Sequence, residues 1–193
     1  MNQLLSYIIW DPDTVAFHIG SYGIHWYALW WIIGLVGAYF MVRWLYKDQK
    51  LRDEDFDPLF IYCFFGIIIG ARLGHVFFYE WDYYSQHPEH IWRTWEGGLA
   101  SHGGAIGVIT AVLLYSWITT KRSPLWTFDR LVVAIALVGG LIRIGNLMNS
   151  EIYGHVTELP WGFIFVRNGE TLPAHPTQIY EALCYFALFG LLM

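Results

Sequence analysis

Arg143 sits inside the apolar stretch 131–148, which otherwise reads as a membrane helix. A guanidinium in a protein does not lose its proton. Holding one at membrane depth costs from ~2.5 to more than ~10 kcal/mol unless an anion, water or a polar cavity receives it. An intramembrane arginine is therefore by default a functional site, with phosphate or carboxylate as its natural partner. The commonest membrane phosphate belongs to a phospholipid. Asn146, Asn149, Ser150, Glu151 and Gly154 follow. At about 100° per residue, Arg143, Asn146 and Ser150 share a helix face with Asn149 beside it. The guanidinium can take phosphate oxygens bidentately while amides and a carboxylate take alcohols.

Three further polar groups interrupt apolar text. Arg72 lies in Gly70-Ala71-Arg72-Leu73-Gly74-His75, His102 in Ser101-His102-Gly103-Gly104-Ala105-Ile106-Gly107, and a later set reads His175-Pro176-Thr177-Gln178-Ile179-Tyr180-Glu181. Each has a plainer reading. Gly70/Gly74 and Gly103/Gly107 are spaced for close helix packing. Arg72 and His75 suit snorkelling to an interface. His102 suits a helix start. Arg143 is open to pairing with Glu151, or with Asp129 at the far end of its span. Thr177 reads as an N-cap, with Tyr180 and Glu181 in the first turns.

The elements that must position these residues are membrane helices. Of 193 residues, 56% are hydrophobic and 14% charged, with a mean hydropathy of +0.39. Soluble domains carry ~25% charge. Apolar runs at 24–46, 58–79, 99–120, 129–148 and 178–193 give five spans at ~20 residues each. The last has only sixteen residues and ends without a basic flank. The loop after the first run holds Arg43, Lys47, Lys50 and Arg52, and that after the third holds Lys121, Arg122 and Arg130. The opposite side holds only Arg93 and Arg167. Seven basic residues against two place the N-terminus outside. The expected fold class is all-α, a polytopic transmembrane helix bundle forming a single domain over 1–193. It comprises an extracytoplasmic arm at 1–23 and a bundle at 24–193 with a short extracytoplasmic segment at 149–177. Arg72, His102 and Arg143 then fall at a similar depth on the outer side.

The chain shows no signal-peptide cleavage site, nucleotide loop, nucleic-acid-binding basic patch or metal-ligand spacing. Cys63 and Cys184 read as buried, inert thiols. Trp26, Trp30 and Trp31 suit an interfacial belt.

The run Arg143-Ile144-Gly145-Asn146-Leu147-Met148-Asn149-Ser150-Glu151-Ile152-Tyr153-Gly154 closely resembles the signature of bacterial prolipoprotein diacylglyceryl transferases. So do Ile24-His25-Trp26-Tyr27, Gly70-Ala71-Arg72, His102-Gly103-Gly104 and the 175–181 motif, with Asp11-Pro12 and Ile19-Gly20 in the arm. The resemblance implies a seven-span enzyme of the bacterial inner membrane with its active site toward the outer leaflet. It would transfer diacylglyceryl from phosphatidylglycerol to the lipobox cysteine of a prolipoprotein, yielding a thioether and glycerol phosphate. Carried over by position, Arg143 binds the phosphate, Tyr27, Asn146, Glu151 and Gly154 are essential site positions, and His102 is the candidate base. Arg72, Tyr180 and Glu181 join the phosphatidylglycerol-binding set. No cofactor or metal is expected. The family continues through two more spans with a further arginine, so the five visible spans are expected to be the first part of the bundle. The segment between Gly154 and His175 is shorter than in some members. A phospholipid-binding protein without chemistry is the alternative. A small transporter would show an internal repeat, which this sequence lacks.

Overall fold

The computed structural model describes residues 7–94 and 97–193, so the start of the expected arm lies outside the described residues. The elements run β1 (Ile8–Trp10), β2 (Val15–Ile19), β3 (Tyr22–His25), α1 (Trp26–Asp48), α2 (Asp53–Phe78), α3 (Trp81–Tyr84), α4 (Ser101–Tyr115), α5 (Pro124–Met148), β4 (Phe163–Phe165) and α6 (Thr177–Leu192). The helical fold expected is found, with two small sheets added. Four helices are long and apolar enough to cross a membrane: α1, α2 from Glu54, α4 continued by a π turn to Thr120, and α5. The fifth run forms a helix of 16 residues, shorter than those four.

The first boundary needs correction. Ile24 and His25 belong to β3, where the antiparallel β2–β3 hairpin turns at Gly20 (φ +61°). The helix begins at Trp26, whose N–H donates to the Thr14 carbonyl.

The described chain forms two compact units. One comprises residues 7–42 and 132–193. Here β1 pairs in parallel with β4, and Leu147, Phe163, Phe165 and Ala174 form a core under Trp10, Tyr153 and Ile179. The Trp10 indole donates to the Leu147 carbonyl at 2.8 Å, satisfying an acceptor at the end of α5 that the helix leaves open. Gly34 and Gly37 of α1 admit Val138 and Leu137 of α5, while Gly139 and Gly140 admit Tyr185 and Phe186 of α6. Small residues thus line both sides of the helix that carries Arg143.

The other unit spans Arg43–Leu131. Gly66, Gly70 and Gly74 of α2 face Gly103 and Gly107 of α4 so closely that backbone meets backbone. The expected glycine pairs are a packing seam, lengthened by Gly66. At one end of the seam, the Tyr115 hydroxyl donates to the Asp55 carbonyl at 2.5 Å and lies 3.2 Å from the Tyr46 hydroxyl. Arg130 lies over the Trp126 ring at 3.8 Å and donates to Gln49.

Candidate active site

Arg143 stands one turn from the end of α5, half-buried, and its Nε lies 2.7 Å from Oε2 of Glu181 in the second turn of α6. This is neither of the pairings open to it in sequence: the partner comes from the other helix. Nη1 donates a long bond, 3.4 Å, to Oδ1 of Asn146, which is 3% exposed. Asn146 Nδ2 in turn donates to Glu151 Oε2 at 3.3 Å, and Asn149 Nδ2 to Oε1 at 2.7 Å. The result is a continuous line of Glu181, Arg143, Asn146, Glu151 and Asn149.

The expected single helix face does not reach Ser150, because α5 ends at Met148. Ser150 (φ +57°) and Ile152 (φ +55°) both adopt left-handed backbone, and for β-branched Ile152 that is a strained conformation. The restraint that holds it is visible. The carbonyls of Ser150, Glu151 and Ile152 each accept a side-chain bond, from Asn168 (2.7 Å), Gln178 (2.5 Å) and Thr177 (2.8 Å). Thr177 is therefore not the N-cap expected: that position is Pro176, and the threonine hydroxyl ties α6 to the turn. Glu151 is presented on a turn clamped at three successive peptides.

Gly154 follows, its N–H donating to the His175 carbonyl at 2.9 Å. A Cβ there would lie 2.7 Å from Thr177 Cγ2 and 3.0 Å from His175 Cβ, so only glycine admits this approach. Tyr27, at the start of α1, lies against Gly145: a Cβ on that glycine would meet the tyrosine Cδ2 at 2.9 Å. Tyr180 bonds on two sides, with Trp161 Nε1 at 2.9 Å and His175 Nδ1 at 3.1 Å. Indole only donates, so the Tyr180 oxygen accepts there and stands between indole and imidazole.

Arg72 and His102 belong to the second unit. Arg72 is 2% exposed. It donates to four backbone carbonyls, of Ile91 (2.6 Å), His90 (2.7 Å), Gly97 (2.7 Å) and Gly98 (3.2 Å), and lies over the Tyr84 ring at 5.1 Å. With its fork so engaged, Arg72 clamps the α3–α4 connection and does not present a free edge to a phosphate, nor does it snorkel. In that connection the Glu89 carboxyl is held below its ordinary range, first by its own backbone N–H and then by His90 and His87. His102 is exposed on the first turn of α4, its Nε2 3.3 Å from the Tyr79 hydroxyl.

The residues that sequence reasoning missed are Asn168 and Gln178, plus the opposition of Glu181 to Arg143. Gln178 carried a signal, being a polar residue at the head of an apolar run.

The chain matches, over residues 14–193, the profile of the family described as prolipoprotein diacylglyceryl transferase. It belongs to that family. A diacylglyceryl transferase of Porphyromonas gingivalis, named phosphatidylglycerol--prolipoprotein diacylglyceryl transferase, is 48% identical over 98% of this chain and 70% of its own length. Relatives of the same name from Chloroherpeton thalassium (47% identical, 97% of this chain, 70% of theirs) and Tolumonas auensis (43%, 96% and 72%) match comparably. In this transferase chain the matched region contains every residue of the line from Arg143 to Glu181.

Proposed function

We propose that this protein transfers the diacylglyceryl group of phosphatidylglycerol to the lipobox cysteine of prolipoproteins, the reaction its relatives' names describe. The thiol sulfur attacks the glyceryl carbon bonded to the phosphodiester oxygen. That carbon–oxygen bond breaks, a thioether forms, and glycerol phosphate leaves. The observation that carries the reading is the half-buried Arg143 at the end of a membrane-length helix, continued by Asn146, Glu151 and Asn149. The guanidinium holds the lipid phosphate and the negative charge that develops on it as the bond breaks, in a water-poor setting where such stabilisation is strong. Asn146 and Glu151 serve the glycerol hydroxyls, with Tyr27 and Tyr180 flanking. Gly154 permits the backbone approach that sets the 175–181 segment. A thiol near pKa ~8.5 needs a proton acceptor. His102 is one such group by its chemistry. Arg72 serves by holding the α3–α4 connection.

The protein is an integral membrane protein of the bacterial inner membrane in this reading. The arm at 1–23 and the segment at 149–177 lie outside, and the active site faces the outer leaflet. The pairing of β1 with β4 supports one part of this, that both strands lie on the same side, since the intervening helices must return the chain to the side it started from.

The test is transfer of radiolabelled diacylglyceryl from phosphatidylglycerol to a lipobox peptide by the purified chain, beside Arg143→Ala. Label on the peptide with the wild-type chain and none with the variant supports the reading. Arg143-dependent lipid binding without transfer would mean a binding protein instead.

A further inference from the structure

We propose that Glu181 accepts the proton of the incoming thiol, freed for that task when the lipid phosphate takes its place at Arg143. This rests on the transfer reaction above.

Charge makes the case first. Glu181 pairs with the Arg143 guanidinium directly and Glu151 reaches it through Asn146, so this bonded line carries two carboxylates and one cation. The cluster is net negative before any substrate arrives. A phosphodiester adds another negative charge beside the same cation. Repulsion between anions is relieved when one of them takes up a proton. The reaction has a proton to dispose of at that moment, because the attacking sulfur must lose one.

Geometry selects the carboxylate. Both Glu151 oxygens already accept amide N–H groups, from Asn146 and Asn149, and are held in place by them. Glu181 meets its partner through Oε2, at Nε. Nε is half of the edge with which a guanidinium grips a phosphate bidentately. Phosphate and Glu181 thus compete for one N–H, and the carboxylate displaced is the one not tied to Asn146 and Asn149. It is also reachable, with its side chain 41% exposed.

The step balances. The thiol proton moves to a Glu181 oxygen, and the sulfur electron pair forms the C–S bond. The C–O electron pair leaves on the phosphate oxygen, held by Arg143. Glycerol phosphate, a monoester whose second ionisation lies near ~6, takes the proton from Glu181 and departs. The carboxylate then returns to Arg143.

The experiment compares wild type with Glu181→Gln, full chain in phosphatidylglycerol vesicles. One lipobox peptide carries cysteine, and a second carries selenocysteine, whose selenol is ionised at neutral pH without help. The expected result is a loss of turnover on the cysteine peptide of about 10²-fold or more. The KM for phosphatidylglycerol should be unchanged or lower, because the competitor for Nε is weakened. On the selenocysteine peptide most of the loss should vanish. Glu181→Asp, which keeps a carboxylate, should show a smaller loss erased in the same way, and it serves if the glutamine variant does not fold. An equal loss on both peptides, or cysteine turnover within a few-fold of wild type, overturns the proposal. So does a defect confined to His102→Gln and rescued there by selenocysteine, which would make that histidine the acceptor. If wild type labels neither peptide, the failure is that of the transfer reaction itself.

Discussion

The carbonyl oxygen of Gly66 lies 1.9 Å from the point a Cβ on Gly107 would occupy, so α2 and α4 touch through bare backbone. Neither partner is a flexible side chain that can step aside. Gly107→Ala should therefore push the helices apart, at the upper end of or above the ~1–3 kcal/mol usual for overpacking. The check is thermal unfolding in detergent, with Gly104→Ala as control. A Cβ on Gly104 finds only ordinary contact, 3.7 Å from the Ala71 methyl, and should be tolerated.

Arg72→Lys replaces a planar fork by a point charge and cannot reach four carbonyls at once. Carbonyls left without donors cost ~1–3 kcal/mol each where water does not replace the bond. The melting temperature should fall and the Arg93 and Gly97 amides should exchange faster, while the KM for phosphatidylglycerol stays within a few-fold. A selective loss of lipid affinity with those amides still protected would instead make Arg72 a phosphate ligand.

Gly154→Ala places a methyl 2.7 Å from Thr177 Cγ2. We expect turnover to fall at least ~10-fold, through displacement of the 175–181 segment on which the site depends for its geometry. Thr177→Ser removes the offending methyl and keeps the hydroxyl that bonds Ile152. The double variant should recover part of the loss in the same transfer assay, and no recovery would sink the steric account.

Arg143→Lys keeps the charge but loses the edge that Glu181 and a phosphate share. Turnover should drop by ~10²–10³-fold, the scale of a lost transition-state donor, with the unfolding temperature near wild type. Normal turnover would remove the bidentate argument.

Much of this was legible in the residues. The long helices follow from run length, and the α2–α4 seam from glycine spacing. The polar character around Arg143 follows from the cost of a buried cation. What was not legible are contacts with main-chain acceptors and contacts between helices far apart in sequence. The Arg72 cage is built of four carbonyls, and no side-chain type at 90, 91, 97 or 98 announces them. The pairing of Arg143 with Glu181 depends on how α5 and α6 lie together, which a spacing of 38 residues does not encode. Ile24 and His25 were apolar enough to extend a helix, but the hairpin from Val15 takes them because their backbone pairs with β2. Thr177 looked like a cap. Its hydroxyl goes to a strained turn that periodicity could not anticipate.

The parallel pairing of Ile8–Trp10 with Phe163–Phe165 also dictates a timetable. The leading strand leaves the ribosome first, yet its partner is translated more than 150 residues later. At ~5–20 residues per second that is a wait of roughly 10–30 s. Until then the leading strand has no neighbour, and the Leu147 carbonyl that Trp10 bonds is itself made only shortly before. The site turn, 149–154, can therefore close only after α5 has been inserted, so its assembly waits on four helices that precede it.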